Sequence, residues 1–207
     1  MFRWSEIKAH FKIMNPYIAF GFILFFAGIV VGGTNSAFSD YLEQQINALG
    51  DVANSLEQSN NPTLAFMVFI FLNNAIKSIF IIYIGAILGI APIFFLVLNG
   101  MVVGFLLQHV AETQGTGDML TVVLGLLPHG LLEIPAIVIA CAYGMKFGVL
   151  LLKALGRLII PGKEAGKSGP EIEYFMIRSV PVVVILTVTL LIAAIIESTV
   201  SVWISSL

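Results

Sequence analysis

The sequence predicts an all-α, polytopic transmembrane bundle of about five spans, and three observations carry that prediction. Hydrophobic residues make up 58% of the chain and charged residues only 11%, whereas a soluble domain needs about twice that charged fraction to coat its surface. Mean hydropathy is +1.00. The apolar residues fall in separate runs, each long enough to cross about 30 Å of hydrocarbon at about 1.5 Å per residue. At 207 residues the chain is expected to form a single transmembrane domain spanning residues 1–207, with no separate soluble domain. A net charge of −2 gives no electrostatic reason for a nucleic-acid partner. The single cysteine, Cys141, lies in an apolar run, where it is expected to act as a small packing residue.

The first span is expected over residues 17–33, behind the basic segment RWSEIKAHFKIMNP. That run is long for a secretory signal, and no clean small-x-small cleavage site follows it, so it reads as a retained anchor. The basic segment is expected to lie along the cytoplasmic surface as a short helix, its aromatic and basic residues suited to anionic lipid heads. Residues 34–62 are polar and carry Asp40, Glu43, Asp51 and Glu57 without a lysine or arginine. Within them Phe38, Leu42, Ile46, Leu49 and Leu56 recur at helical spacing, which predicts an amphipathic helix on the membrane surface or packed over the bundle.

The second span is expected over 64–91, where Pro92 marks a break, and the third over 92–110. Residues 119–152 are too long for one straight crossing and too short for two. Pro128, Gly130 and Pro135 disfavour an unbroken helix there, so this segment is expected to be a half-helix, broken near 128–130, followed by a full span. The fifth span covers 180–203.

Lysine and arginine fix the expected orientation. Arg3, Lys8 and Lys12 precede the first span, and Lys146, Lys153, Arg157, Lys163, Lys167 and Arg178 surround the loop before the last. With five crossings both groups fall on one side, so the chain is expected in the cell membrane with its N-terminus cytoplasmic and its C-terminus extracytoplasmic. Only Lys77 departs from the pattern. Glycines recur four apart at Gly28 and Gly32, Gly85 and Gly89, Gly100 and Gly104, and Gly144 and Gly148. That spacing lets helix backbones approach closely in lipid. It is expected to serve packing within one bundle, a homodimer seam being the alternative use.

Ionisable groups inside a span are costly and normally face the bundle interior. The polar intramembrane cluster expected here comprises His129, Glu133, Glu197, Asn73 and Asn74, with Lys77 and Asn99 as further candidates. Counting from Lys153 and Arg178 raises Glu133 and Glu197 about 30 and 28 Å, near the extracytoplasmic side, with His109 at a similar level. Asn73 and Asn74 count to about 15 Å below that surface, and Asn99 to the opposite half, in a separate contact. His129 and Glu133, four apart, share a helix face, the spacing by which one helix offers two ligands to a metal. Glu197 and His109 would complete a divalent site such as zinc. The alternatives are that Glu133 pairs with protonated His129 or caps backbone near Pro128, and that Lys77 pairs with a buried carboxylate or reaches a water-filled pocket.

The stretch LLPHGLLEIPAIVIA, residues 126–140, resembles the signature of the stage II sporulation protein M family, and FLNN, VLNGMVVG and AAIIES add to the resemblance in order. The resemblance covers the chain from about Asn15 onward and matches the family pattern at His129, Glu133, Asn74, Asn99 and Glu197. It implies an integral membrane protein whose founding relative acts in engulfment during endospore formation, positioning two cell-wall-degrading proteins at the septal membrane. It implies no catalytic residue. Three functions follow in order: a membrane scaffold for membrane-anchored or extracytoplasmic partners such as cell-wall hydrolases, a transporter or permease component using the His/Glu site, and a metal-dependent intramembrane hydrolase. An enzyme is thus not the leading expectation.

Overall fold

In the computed structural model, which describes residues 4–87, 89–113, 115–159 and 165–205, the chain is an all-α bundle. The helices are α1 (Trp4–Thr34), α2 (Ser39–Glu57), α3 (Pro62–Ile84), α4 (Ile90–Thr113), α5 (Thr116–Ile159) and α6 (Ser168–Ser205). Among the described residues, five segments are long and apolar enough to cross a membrane: Lys8–Thr34, Pro62–Ile84, Ile90–Thr113, Gly130–Ile159 and Ser168–Thr199. The chain is a multi-pass membrane protein.

Helix α5 is the axis. It packs against α1, α3, α4 and α6, and its stretch from Ala136 to Met145 is almost wholly buried. That stretch is rich in Ala, Gly and Cys, residues small enough for four neighbours to close on one helix. Cys141 is among them, fully buried as a packing residue.

The four glycine pairs mate with one another in two seams. Gly28 and Gly32 on α1 lie against Gly100 and Met101 on α4, while Gly100 and Gly104 meet the backbone of Phe25 and Ile29. On the other side Gly85 and Gly89 lie against Gly144, Met145 and Gly148 of α5. A side chain at most of these positions would collide with the facing backbone. Gly89 also ends the turn after α3 with φ 71°, a left-handed conformation that glycine adopts without strain.

Local signals place the helix starts. Asn61 caps α3, its side chain accepting from Leu64 N–H at 3.2 Å, and Pro62 takes the first helical position, where its missing N–H costs nothing. Helix α2 is amphipathic as expected and packs over α3 and α4. Leu42 is fully buried, whereas Phe38 and Leu49 remain exposed.

Three expectations are corrected. The break between the second and third spans follows Ile84 rather than falling at Pro92, which lies buried inside α4. The basic segment is not a separate surface helix, since α1 runs unbroken from Trp4. His10 and Met14, four apart, are buried among core residues and continue the inward face of the span. Nor does 128–130 divide the fourth spanning element, because helical backbone continues from Thr116 to Ile159. Prolines are tolerated in spanning helices, where no water waits to take up released carbonyls and unravelling costs more than a lost bond.

Candidate functional site

Helices α3 and α4 are consecutive and joined by a short turn, yet they hardly touch along their lengths. They diverge from the turn that follows Ile84. The wedge between them is backed by α5, reached by α6 and covered by α2. It is a cleft of about 520 Å³.

Most of the polar residues expected in the membrane line this one cleft. Asn73, Asn74 and Lys77 come from α3, Asn99 from α4, Glu133 from α5 and Glu197 from α6. Gln45, Val52, Ala53 and Leu56 of α2 close it from the acidic end of the bundle. Glu133 faces the Asn74 side chain and lies within electrostatic reach of Lys77. Glu197 in turn lies within electrostatic reach of Glu133. Asn73 donates through Nδ2 to Asn74 Oδ1 at 3.4 Å, so a chain of polar groups runs from Asn73 through Asn74 to Glu133.

The heights differ from those counted on the sequence. Gly85 faces Gly144, and Asn74 and Glu133 each lie eleven residues above those glycines on their own helices, or about 17 Å. They therefore share a level midway through the bundle, which allows Lys77 to lie within reach. Asn99 belongs to the same cleft rather than a separate contact, with its amide donating to Phe95 O at 2.6 Å.

His129 lies one turn before Glu133 on α5, and its side chain is outside the described residues. His109 is placed elsewhere, stacked on Phe105 with centroids 5.9 Å apart in a separate hollow with Gln108 and Glu112. Among the described residues no group of three or more His, Cys, Asp or Glu side chains forms a metal cluster. The two carboxylates, Glu133 and Glu197, are the described groups in the cleft that a cation would meet. Chemically the arrangement can take up a cation, share a proton between carboxylates, or hold a polar segment away from lipid.

Sequence reasoning missed Ser78 and Gln45. Ser78 is buried in the cleft wall and its hydroxyl has no hydrogen-bond partner. It lies four residues after Asn74, on the same helical face, and that spacing is the signal by which it is found.

A family model described as stage II sporulation protein M matches residues 21–202. An uncharacterized protein of Methanocaldococcus jannaschii is 25% identical over 187 residues, covering 89% of this chain and 79% of that protein. No solved structure matches significantly.

Proposed function

This chain belongs to the stage II sporulation protein M family, and on that premise we propose that it is a multi-pass scaffold positioning cell-envelope or peptidoglycan-remodelling partners. Its N-terminus is cytoplasmic and its C-terminus and α2 extracytoplasmic, following the lysine and arginine bias of the loops. The observation that carries this reading is the mounting of α2. One face is anchored by the fully buried Leu42, and the rest of the helix exposes Asp40, Tyr41, Glu43 and Asp51. A helix held firmly on one side and acidic on the other suits recognition of a basic segment on an extracytoplasmic protein. The family's founding member, with its two wall-degrading partners, supports the same role.

A photocrosslinker at Gln44 or Asn47, both exposed, is expected to capture a wall-remodelling protein in native membranes. Glu43→Lys with Asp51→Lys should abolish that product. The scaffold reading fails if neither site crosslinks such a protein while Glu133→Gln alone abolishes the cellular phenotype. Orientation is tested separately in a Cys141→Ala background. Ser55→Cys should react with an impermeant maleimide on intact cells, and Lys167→Cys only after permeabilisation.

A second reading, a permease component, is favoured by the cleft itself. Glu133, Glu197 and Lys77 in one intramembrane space resemble the charged sites of ion-coupled transporters. It predicts proton- or cation-dependent uptake in proteoliposomes that Glu133→Gln removes.

A further inference from the structure

At the opposite, basic end of the bundle a second hollow of about 570 Å³ lies between α1, the end of α5 and the start of α6. Lys146, Lys153 and Lys167 line it, together with His10, Glu171 and Tyr174. The one acidic group among these, Glu171, is already engaged by Arg157, whose two terminal nitrogens donate to its carboxylate at 2.9 and 3.2 Å. Lys146 is held over the Tyr17 ring at 5.1 Å, so its ammonium is positioned rather than free to sweep the surface. Helix α6 starts at this hollow, adding the positive end of a long helix.

His10 is the second, independent sign of a ligand. Its ring is only 6% exposed, yet neither nitrogen has a hydrogen-bond partner. It is packed against Tyr143, Tyr174 and Phe175, with centroids 5.5, 6.3 and 6.5 Å away. The Tyr143 hydroxyl beside it is also buried without a partner. Buried polar groups are normally paired, and an orphan in a native structure calls for an explanation. Here Lys146, Lys153 and Lys167 line the same hollow as the imidazole, and an anionic oxygen accepting from the ring N–H would satisfy it.

We propose that this hollow is a binding site for a phosphate group, held by Lys146, Lys153 and the His10 imidazole. The source is either a phospholipid head group in the adjacent leaflet or a soluble phosphate compound, since both present the same oxygens to the same cations.

The test uses the full chain in phosphate-free maltoside micelles with ¹⁵N-labelled histidine, the His10 signals being identified against those of the chain's other two histidines. One arm adds inorganic phosphate; the other adds phosphatidylglycerol to the micelles. A saturable change in the His10 imidazole signals is expected in at least one arm. A response to phosphate alone assigns a soluble ligand, one to phosphatidylglycerol alone assigns the lipid, and responses in both assign the shared phosphate chemistry. Lys153→Gln, at an exposed position where folding is not at risk, should weaken the response roughly tenfold. Lys12→Gln, an exposed cation outside the hollow, should leave it unchanged. The proposal is overturned if His10 responds in neither arm, or if both variants weaken the response equally, which would mean diffuse attraction rather than a site.

Discussion

The two faces of α4 solve opposite problems. Toward α1 it presents Gly100 and Gly104, and the two backbones meet with nothing between them. Toward α3 it presents Asn99, Val102, Val103 and Leu106 to an open cleft. Lipid tails are as apolar as leucine, so helices gain little from apolar contact alone, and permanent contact comes from close backbone approach. Where the helices separate, the exposed groups must find their own partners, as Asn99 does by bonding back to Phe95. The contrast divides the molecule into a glycine-sealed frame and a polar interior held apart by it.

Breaking the frame should have the largest effect. At Gly104 a new Cβ would land on the Ile29 carbonyl, and no rotamer change relieves a clash with backbone. Gly104→Val is expected to destabilise the bundle by more than about 3 kcal/mol, beyond ordinary overpacking, read as a collapse of the thermal midpoint in detergent. Gly50 in α2 has nothing within 4 Å of an added Cβ, so Gly50→Ala should instead raise stability by up to about 1 kcal/mol through helix propensity. If Gly104→Val melts like the wild type, the seam is not what holds α1 to α4.

How much was legible in the sequence follows the same division. The five apolar runs were readable because hydropathy and length dictate them, but their ends were not: α1 begins at Trp4 and α6 at Ser168, well before the expected spans, and α3 ends at Ile84, while α2 was readable from its spacing. The four-residue glycine repeat was visible too, but spacing alone does not say which pair meets which. That missing piece set the heights. Counting to Glu133 from Lys153 overshot because Lys153 lies beyond the level of the α3–α4 turn, whose Gly89 faces Met145 and Gly148, so Lys153 does not mark the membrane level. Counting instead from the Gly85–Gly144 contact puts Asn74 and Glu133 level. Knowing that mating would also have placed Lys77 within reach of Glu133. His10 escaped notice because a histidine in a basic segment reads as surface, and only the continuous α1 shows that it turns inward.

A smaller effect is expected inside the cleft. Asn74→Leu removes the amide that faces Glu133 and leaves a carboxyl without that polar neighbour, at a cost of about 1–2 kcal/mol. Adding Glu133→Leu should recover part of the loss, since removing both polar partners is cheaper than orphaning one. A double-mutant cycle on the thermal midpoint measures this coupling. Strict additivity would mean that the two groups do not support each other, and the cleft would lose its organising contact.

The smallest effect is expected at the basic rim, where the comparison is sharpest because the contact there is the most highly charged. Arg157 and Glu171 form a two-point ion pair, but their side chains are 20% and 39% exposed. Water and salt screen such a pair, and two long side chains must be ordered to make it. Arg157→Gln should therefore shift the midpoint less than Asn74→Leu does, and the shift should shrink further in high salt. A neutral amide in the cleft would then outrank a bidentate ion pair at the rim, because lipid, not formal charge, decides what an unpaired group costs. A large, salt-independent shift on Arg157→Gln would reverse that ranking and make the α5–α6 end part of the rigid frame.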